Sequence, residues 1–252
     1  MIQRPPETFS EEPFAIPTPD GKKIYGTLYR SKTPNGSVVI LSHGIMGSAH
    51  EYIHMMARNA MTQNGYDVVC FYYYVYGEAA RSLRECTVET HQQDLRQICD
   101  HFRSSHQKLY VAGHSYGGRT LMLANPEAHA FAFWDSSFAI SKDFWPDRAG
   151  DLPGTPYATL HGSSYHLIDP QMIELDRKID DSDLSDRIRQ IKAPSLVAIA
   201  EESVNSTTRS ELFHTLSCEK KYVEIAGANH LFSKGNSVFD LLETTLDWFN
   251  LH

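Results

Sequence analysis

The pentapeptide Gly113-His114-Ser115-Tyr116-Gly117, extended by Gly118, is the sharpest chemical signal in the chain. It follows a strand-like run, Lys108-Leu109-Tyr110-Val111-Ala112, and precedes a stretch from Tyr116 to Ala124 with helical character. A serine at such a strand–turn–helix junction is held in strained backbone geometry, with its hydroxyl lifted clear of the main chain. Gly113 and Gly117 carry no side chains, which leaves room for the sharp turn. The free N–H groups and the dipole at the start of the following helix favour negative charge beside that hydroxyl. Ser115 is therefore predicted to be a nucleophile that forms an acyl-serine.

A nucleophilic serine needs a base. Ala226-Gly227-Ala228-Asn229-His230 follows the last predicted strand and precedes the C-terminal helix. From that loop His230 can accept the Ser115 proton during attack and return a proton to the leaving group. Twelve other histidines are present, among them His50, His91, His114, His161 and His166. None of them combines late position, a preceding strand and a glycine-containing loop as well. Attack on a carbonyl also needs donors for the developing oxyanion. The loop His43-Gly44-Ile45-Met46-Gly47 ends an earlier strand, and the backbone N–H groups of Ile45 and Tyr116 are the donors best placed by position. His43 itself is read as structural.

The third partner is a carboxylate that holds the histidine tautomer. Its commonest site, the loop after the strand Ser195–Ala200, reads Ala200-Glu201-Glu202-Ser203 and contains no aspartate. Glu202 is one candidate if the loop shifts by a residue. Asp135, immediately after the strand Ala130–Trp134, is the other and the preferred one. A carboxylate among Phe133, Trp134 and Phe138 needs a donor, because unpaired burial is costly. The imidazole N–H of His230 is a natural one.

These residues must be positioned by a scaffold, and the chain alternates accordingly. Residues 14–31 read as a hairpin turning at Pro19-Asp20-Gly21, after an irregular arm over 1–20. Buried strands are predicted at 37–42, 66–73, 108–112, 130–134, 195–200 and 221–226, with helices at 51–63, 90–104, 116–124 and 238–249. Leu95, Ile98, Cys99 and Phe102 fall on one side of the second helix. Phe239, Leu242, Leu246 and Phe249 are the expected packing residues of the last. Alternating strands and helices call for an α/β fold, a mostly parallel sheet with helices on both faces. Ligands in such sheets bind at the carboxyl ends of the strands. Residues 136–193 break the rhythm and are expected to form a small cap, or an elaborated crossover, within a single domain spanning 1–252.

The 252 residues suffice for one large core. With 41% apolar and 21% charged residues and a formal charge of −8, the composition is that of a globular protein and gives no support for nucleic-acid binding. No apolar run is long enough for a transmembrane segment. The polar, proline-containing start lacks the apolar core of a signal peptide, so a cytoplasmic location is expected. Cys70, Cys86, Cys99 and Cys218 show no metal-binding or redox spacing and are read as inert thiols.

Taken together, His43-Gly44, Gly113-His114-Ser115-Tyr116-Gly117-Gly118 and Gly227-Ala228-Asn229-His230 resemble the α/β-hydrolase superfamily over residues 20–250. The resemblance implies an eight-stranded, mostly parallel sheet, a Ser-His-acid triad, and neither a metal nor an organic cofactor. It implies Ser115 as nucleophile, His230 as base, and Ile45 and Tyr116 in the oxyanion hole. The sequence departs from many relatives, which carry Gly-x-x-Asp after the seventh strand. Asp135 instead resembles the acid placement of the platelet-activating-factor acetylhydrolase type, without transferring its phospholipid specificity. The expected activity is serine-esterase cleavage of a carboxylic ester with a small or medium hydrophobic acyl or aryl group. A thioesterase, an acyltransferase, a small-peptide hydrolase and a non-catalytic binding protein on the same scaffold are the alternatives. The aromatic loop Phe71-Tyr72-Tyr73-Tyr74-Val75-Tyr76-Gly77 is read as a wall of the substrate pocket, with Phe138, Phe144, Trp145, Tyr157 and Tyr165 adding apolar surface from the cap. Arg81, Arg84 and Arg119 are read as surface charges.

Overall fold

A computed structural model describes residues 8–137, 149–161, 165–203 and 206–252. Eight strands form the main sheet: β1 (Phe9–Pro17), β2 (Lys23–Ser31), β3 (Ser37–Ser42), β4 (Asp67–Phe71), β5 (Lys108–His114), β6 (Ala130–Trp134), β10 (Ser195–Ala200) and β11 (Lys220–Ile225). Their order is β1-β2-β4-β3-β5-β6-β10-β11. Pairing is antiparallel between β1 and β2 and between β2 and β4, and parallel at every other step. A second sheet of three short antiparallel strands, β7 (Ala149–Asp151), β8 (Ala158–His161) and β9 (Tyr165–Ile168), lies in the insertion after β6. This is an α/β fold, a mostly parallel central sheet flanked by helices, with a small β insertion.

The uninterrupted apolar runs of the central strands follow from burial on both faces. Successive side chains point to opposite sides of the sheet, so each run splits between two cores. Val38, Ile40, Val111, Phe131, Phe133, Val197 and Ile199 face one of them, together with Leu95, Ile98, Cys99 and Phe102 of α2 (Val88–Arg103). Val39, Leu41, Tyr110, Ala112, Ala132, Trp134, Leu196 and Ala198 face the other. There they meet Ile53, Ala57 and Met61 of α1 (Tyr52–Gln63). α3 (Tyr116–Ala124) is buried along its entire length.

Three expectations are corrected. The arm over 1–20 is strand from Phe9 onward, because β1 pairs with β2 from Phe9↔Ser31 to Pro17↔Lys23. On the C-terminal helix (Ser237–Leu251), Phe239 is exposed, and Val238, Leu241, Leu242, Trp248 and Phe249 pack inward. Arg81 and Arg119 are not surface charges. Arg81 is buried and pairs with Asp94 at 2.9 Å and with Asp20. Arg119 donates to Asp176 at 2.8 Å in a fully buried ion pair. Asp176 lies on α4 (Pro170–Arg177), so this pair ties the insertion to the helix that follows Ser115.

The rest of the insertion is divided between two places. Ala158, Leu160, Ile168 and Met172 cluster with Leu83, Cys86 and Tyr116. Leu184 and Ile188 of α5 (Asp181–Arg189) join the main core instead. α6 (Ser206–Thr215), between β10 and β11, was not expected from the sequence. No described helix is long and apolar enough to cross a membrane.

The core also contains a histidine with a measurable consequence. His91 stacks on Tyr73 at 4.2 Å between ring centroids, and neither of its nitrogens has a hydrogen-bond partner among the described residues. Burial, reinforced by His43 and Arg81 nearby, pushes its pKa from 6.5 down to about 3. The unfolded chain takes up a proton below pH 6.5 and the folded one does not until about pH 3. Stability from this residue is therefore present above pH 6.5 and lost as pH falls. At pH 5 the loss is about 2 kcal/mol. His91→Phe keeps the stacking and removes the titration. Its stability relative to wild type, from urea midpoints, is expected to improve by about 2 kcal/mol between pH 8 and pH 5. A pH-independent difference would contradict this.

Candidate active site

Ser115 sits between the end of β5 and the start of α3, with φ 55° and ψ −122°. A non-glycine residue with positive φ is uncommon, and its cost is borne here by the surrounding hydrogen bonds. The Ser115 N–H donates to the Trp134 carbonyl at 3.0 Å, and the Ser115 carbonyl accepts from Ser137 at 3.0 Å and Gly118 at 3.1 Å. The turn is thereby clamped to the end of β6.

Asp135 follows β6 directly, also with positive φ, 41°. Its N–H donates to the Ala198 carbonyl of β10 at 2.8 Å, and its Oδ1 accepts from the Ala200 N–H at 3.1 Å. Asp135 is 1% exposed, so its charge is satisfied within the protein. Oδ2 accepts from His230 Nδ1. On the far side of the imidazole, the Ser115 hydroxyl donates to Nε2 at 2.9 Å. Ser115, His230 and Asp135 thus form one hydrogen-bonded chain across residues 95 and 115 positions apart.

Glu202, the other candidate acid, is not brought to His230. Its carboxylate pairs with Lys234 at the surface. The loop after β10 does reach the histidine loop, where the Glu202 N–H donates to the Ala228 carbonyl at 2.9 Å, but the Glu202 side chain turns outward to Lys234. Ser203, at the position where many relatives carry the acid, is buried.

Two residues that brace the histidine loop were missed by the sequence reasoning. His114 Nε2–H donates to the His230 carbonyl at 2.8 Å. Burial pushes the His114 pKa down to about 3, which keeps the ring neutral. Glu201 Oε2 accepts from the Gly227 N–H at 2.6 Å. The only available signal was adjacency, His114 to the serine and Glu201 to the strand end.

The 43–47 loop lies against the serine. A Cβ added to Gly44 would stand 3.3 Å from Ser115 Cβ and 3.7 Å from its Oγ. His43 shapes this loop: Nδ1–H donates to the Gly44 carbonyl at 2.8 Å, and Nε2 accepts from the Tyr73 N–H at 3.2 Å. Those two bonds specify a neutral tautomer, and burial lowers the pKa to about 4. Ile45 is half-buried next to Gly44, and Tyr116, the first residue of α3, is buried directly after Ser115. The loop, through Gly44, and the start of α3 therefore flank the hydroxyl.

Beside the loop opens a cavity of about 680 Å³. Its walls include Met46, Gly47, Tyr72, Tyr74 and Tyr76, while Ser115 and His230 lie outside it. The aromatic run divides by alternation. Tyr73 points into the core, where its hydroxyl bonds Ser42 at 2.7 Å. Tyr74 donates to the Gly47 carbonyl at 3.0 Å and packs edge-on against His43, which makes it the partition between loop and cavity. Of the expected cap aromatics, Phe138, Phe144, Trp145 and the Tyr165 side chain lie outside the described residues; Tyr157 lies under the guanidinium of Arg84.

Residues 37–128 match the family model described as alpha/beta hydrolase fold. A comparison with curated protein sequences returns no match. Solved structures are similar at low identity. The dienelactone hydrolase from Anabaena variabilis is 18% identical with a TM-score of 0.70, over 98% of this chain and 99% of that one. Est1E from Butyrivibrio proteoclasticus with bound ferulic acid is 16% identical with a TM-score of 0.75, over 93% and 98%. An esterase domain from a Rhodothermus marinus protein is 19% identical with a TM-score of 0.70, over 95% and 97%. At these identities the likeness is one of fold.

Proposed function

We propose that this protein is a serine hydrolase that cleaves carboxylic esters through an acyl-serine intermediate. The observation that carries the reading is the chain from Asp135 through His230 to the Ser115 hydroxyl, with the serine on a strained elbow. Ser115 Oγ attacks the ester carbonyl carbon while His230 Nε2 takes its proton. The oxyanion is held by the N–H groups of Ile45 and Tyr116. The carbon–oxygen bond to the alcohol then breaks, and His230 returns the proton to the departing oxygen. Water, deprotonated by the same nitrogen, attacks the acyl-serine and releases the acid. Asp135 holds Nδ1–H throughout and stabilises the imidazolium that forms in each half-reaction.

The acid placement after β6 is the one for which the sequence resembles the platelet-activating-factor acetylhydrolase type. The substrate is read as small or medium in size, with an apolar acyl or aryl part seated against Tyr72, Tyr74 and Tyr76. Support for ester chemistry comes from the similar structures that are named as an esterase domain and a dienelactone hydrolase.

The test is covalent. A fluorophosphonate probe is expected to label the folded protein at one site, and Ser115→Ala to abolish both labelling and hydrolysis of 4-nitrophenyl butyrate. Failure of the folded wild type to label, or retention of label in Ser115→Ala, would reject the assignment.

A further inference from the structure

The cavity beside the 43–47 loop is mostly apolar, and several of its polar groups are already used by the protein. Tyr74 donates to Gly47, and the Tyr72 hydroxyl meets His50. The Ser82 hydroxyl donates to Glu85 at 2.9 Å, and Ser48 Oγ accepts from the His50 N–H at 3.2 Å. Arg84 differs from these. Among the described residues it is the only guanidinium or ammonium group lining the cavity, and no described carboxylate pairs with it.

The neighbouring acids are committed elsewhere. Glu85 is held by Lys22 and by the Ser82 N–H at 2.9 Å, and Glu78 stands 3.6 Å from Lys23. The Arg84 guanidinium carbon lies 5.2 Å over the Tyr157 ring. Such stacking orients the planar group by one face and leaves its edge N–H donors for a ligand. A planar fork of donors matches a carboxylate. In a chain of net charge −8, a freely diffusing carboxylate meets general repulsion, so a local cation has a discriminating effect.

We propose that this cavity takes the part of the ester that bears a carboxylate, with the apolar body against Tyr72, Tyr74 and Leu83 and the carboxylate on Arg84. The inference rests on the hydrolytic reading and narrows its substrate class to anionic half-esters of medium length. Arg84 is a specificity residue, remote from the bond that breaks.

The test compares two esters with six-carbon acyl chains, mono-4-nitrophenyl adipate and 4-nitrophenyl hexanoate. The ratio of their kcat/KM values is expected to fall about tenfold in Arg84→Gln, the loss expected of one charge-assisted contact. An unchanged ratio overturns the proposal while leaving the hydrolytic reading in place. A second arm is independent of turnover. In the Ser115→Ala protein, adipate monoanilide, an amide carrying the same carboxylate, is expected to bind about tenfold more weakly when Arg84→Gln is added. Equal binding would overturn the proposal whatever the fate of the hydrolytic reading.

Discussion

Asp135→Asn is expected to lower kcat for ester hydrolysis by about a thousand- to ten-thousand-fold while leaving the fold intact. The size of the effect follows from hydrogen-bond polarity. The wild-type carboxylate is acceptor-only: Oδ1 accepts from the Ala200 N–H and Oδ2 from His230 Nδ1. An asparagine that keeps its oxygen on Ala200 turns its NH₂ toward the imidazole. A donor there drives the proton from Nδ1 to Nε2, and an Nε2–H cannot accept the Ser115 proton. The carboxylate that stabilises the imidazolium is lost as well. Glu202→Gln breaks only an exposed ion pair with Lys234, so its kcat is expected within about twofold of wild type. Steady-state kinetics with 4-nitrophenyl butyrate decide the matter. Near-wild-type turnover in Asp135→Asn, or a large loss in Glu202→Gln, would place the acid elsewhere.

Gly117→Ala is expected to disrupt the elbow through a backbone clash. A Cβ there would stand 2.2 Å from the Ser42 carbonyl oxygen and 2.6 Å from that of His43. Both atoms are backbone, at the end of β3 where the 43–47 loop begins, so no side chain can swing aside. The clash is relieved only by moving α3 away from β3, which moves Ser115 relative to the loop. A destabilisation of about 2–4 kcal/mol is expected, with activity lost beyond what stability explains. Gly227→Ala is the control. It has open space around it, and its cost comes from φ +64° alone, about 1 kcal/mol. Urea denaturation of the two variants checks the order; comparable stabilities would show that the elbow is less tightly confined than its contacts indicate.

The elements that hold the candidate site were legible because each rests on a local pattern. The apolar runs at β3, β5, β6 and β10 announce strands buried on both faces. The glycines around Ser115 announce a turn that admits no side chain. What escaped was set by partners distant in sequence. Arg119 looked like a surface charge, although every other residue of its helix is buried, and that context was the signal that an acid must meet it. The acid is Asp176, 57 positions away. The strands β7, β8 and β9 are only three or four residues each, too short for alternation to stand out.

The sequence by itself determined that a serine would stand on an elbow, that a histidine loop would follow the last strand, and that two carboxylates would compete for the imidazole. Only the tertiary structure decided between them. Both candidate loops reach the histidine loop, Asp135 through its carboxylate on His230 Nδ1 and Glu202 through its N–H on the Ala228 carbonyl at 2.9 Å. Which carboxylate meets His230 is therefore a question of where each side chain points once its backbone is fixed. β6 lies between β5 and β10, so Asp135 stands beside the serine turn, held by Ala198 and Ala200, with one oxygen left for Nδ1. The Glu202 side chain turns outward instead, to Lys234.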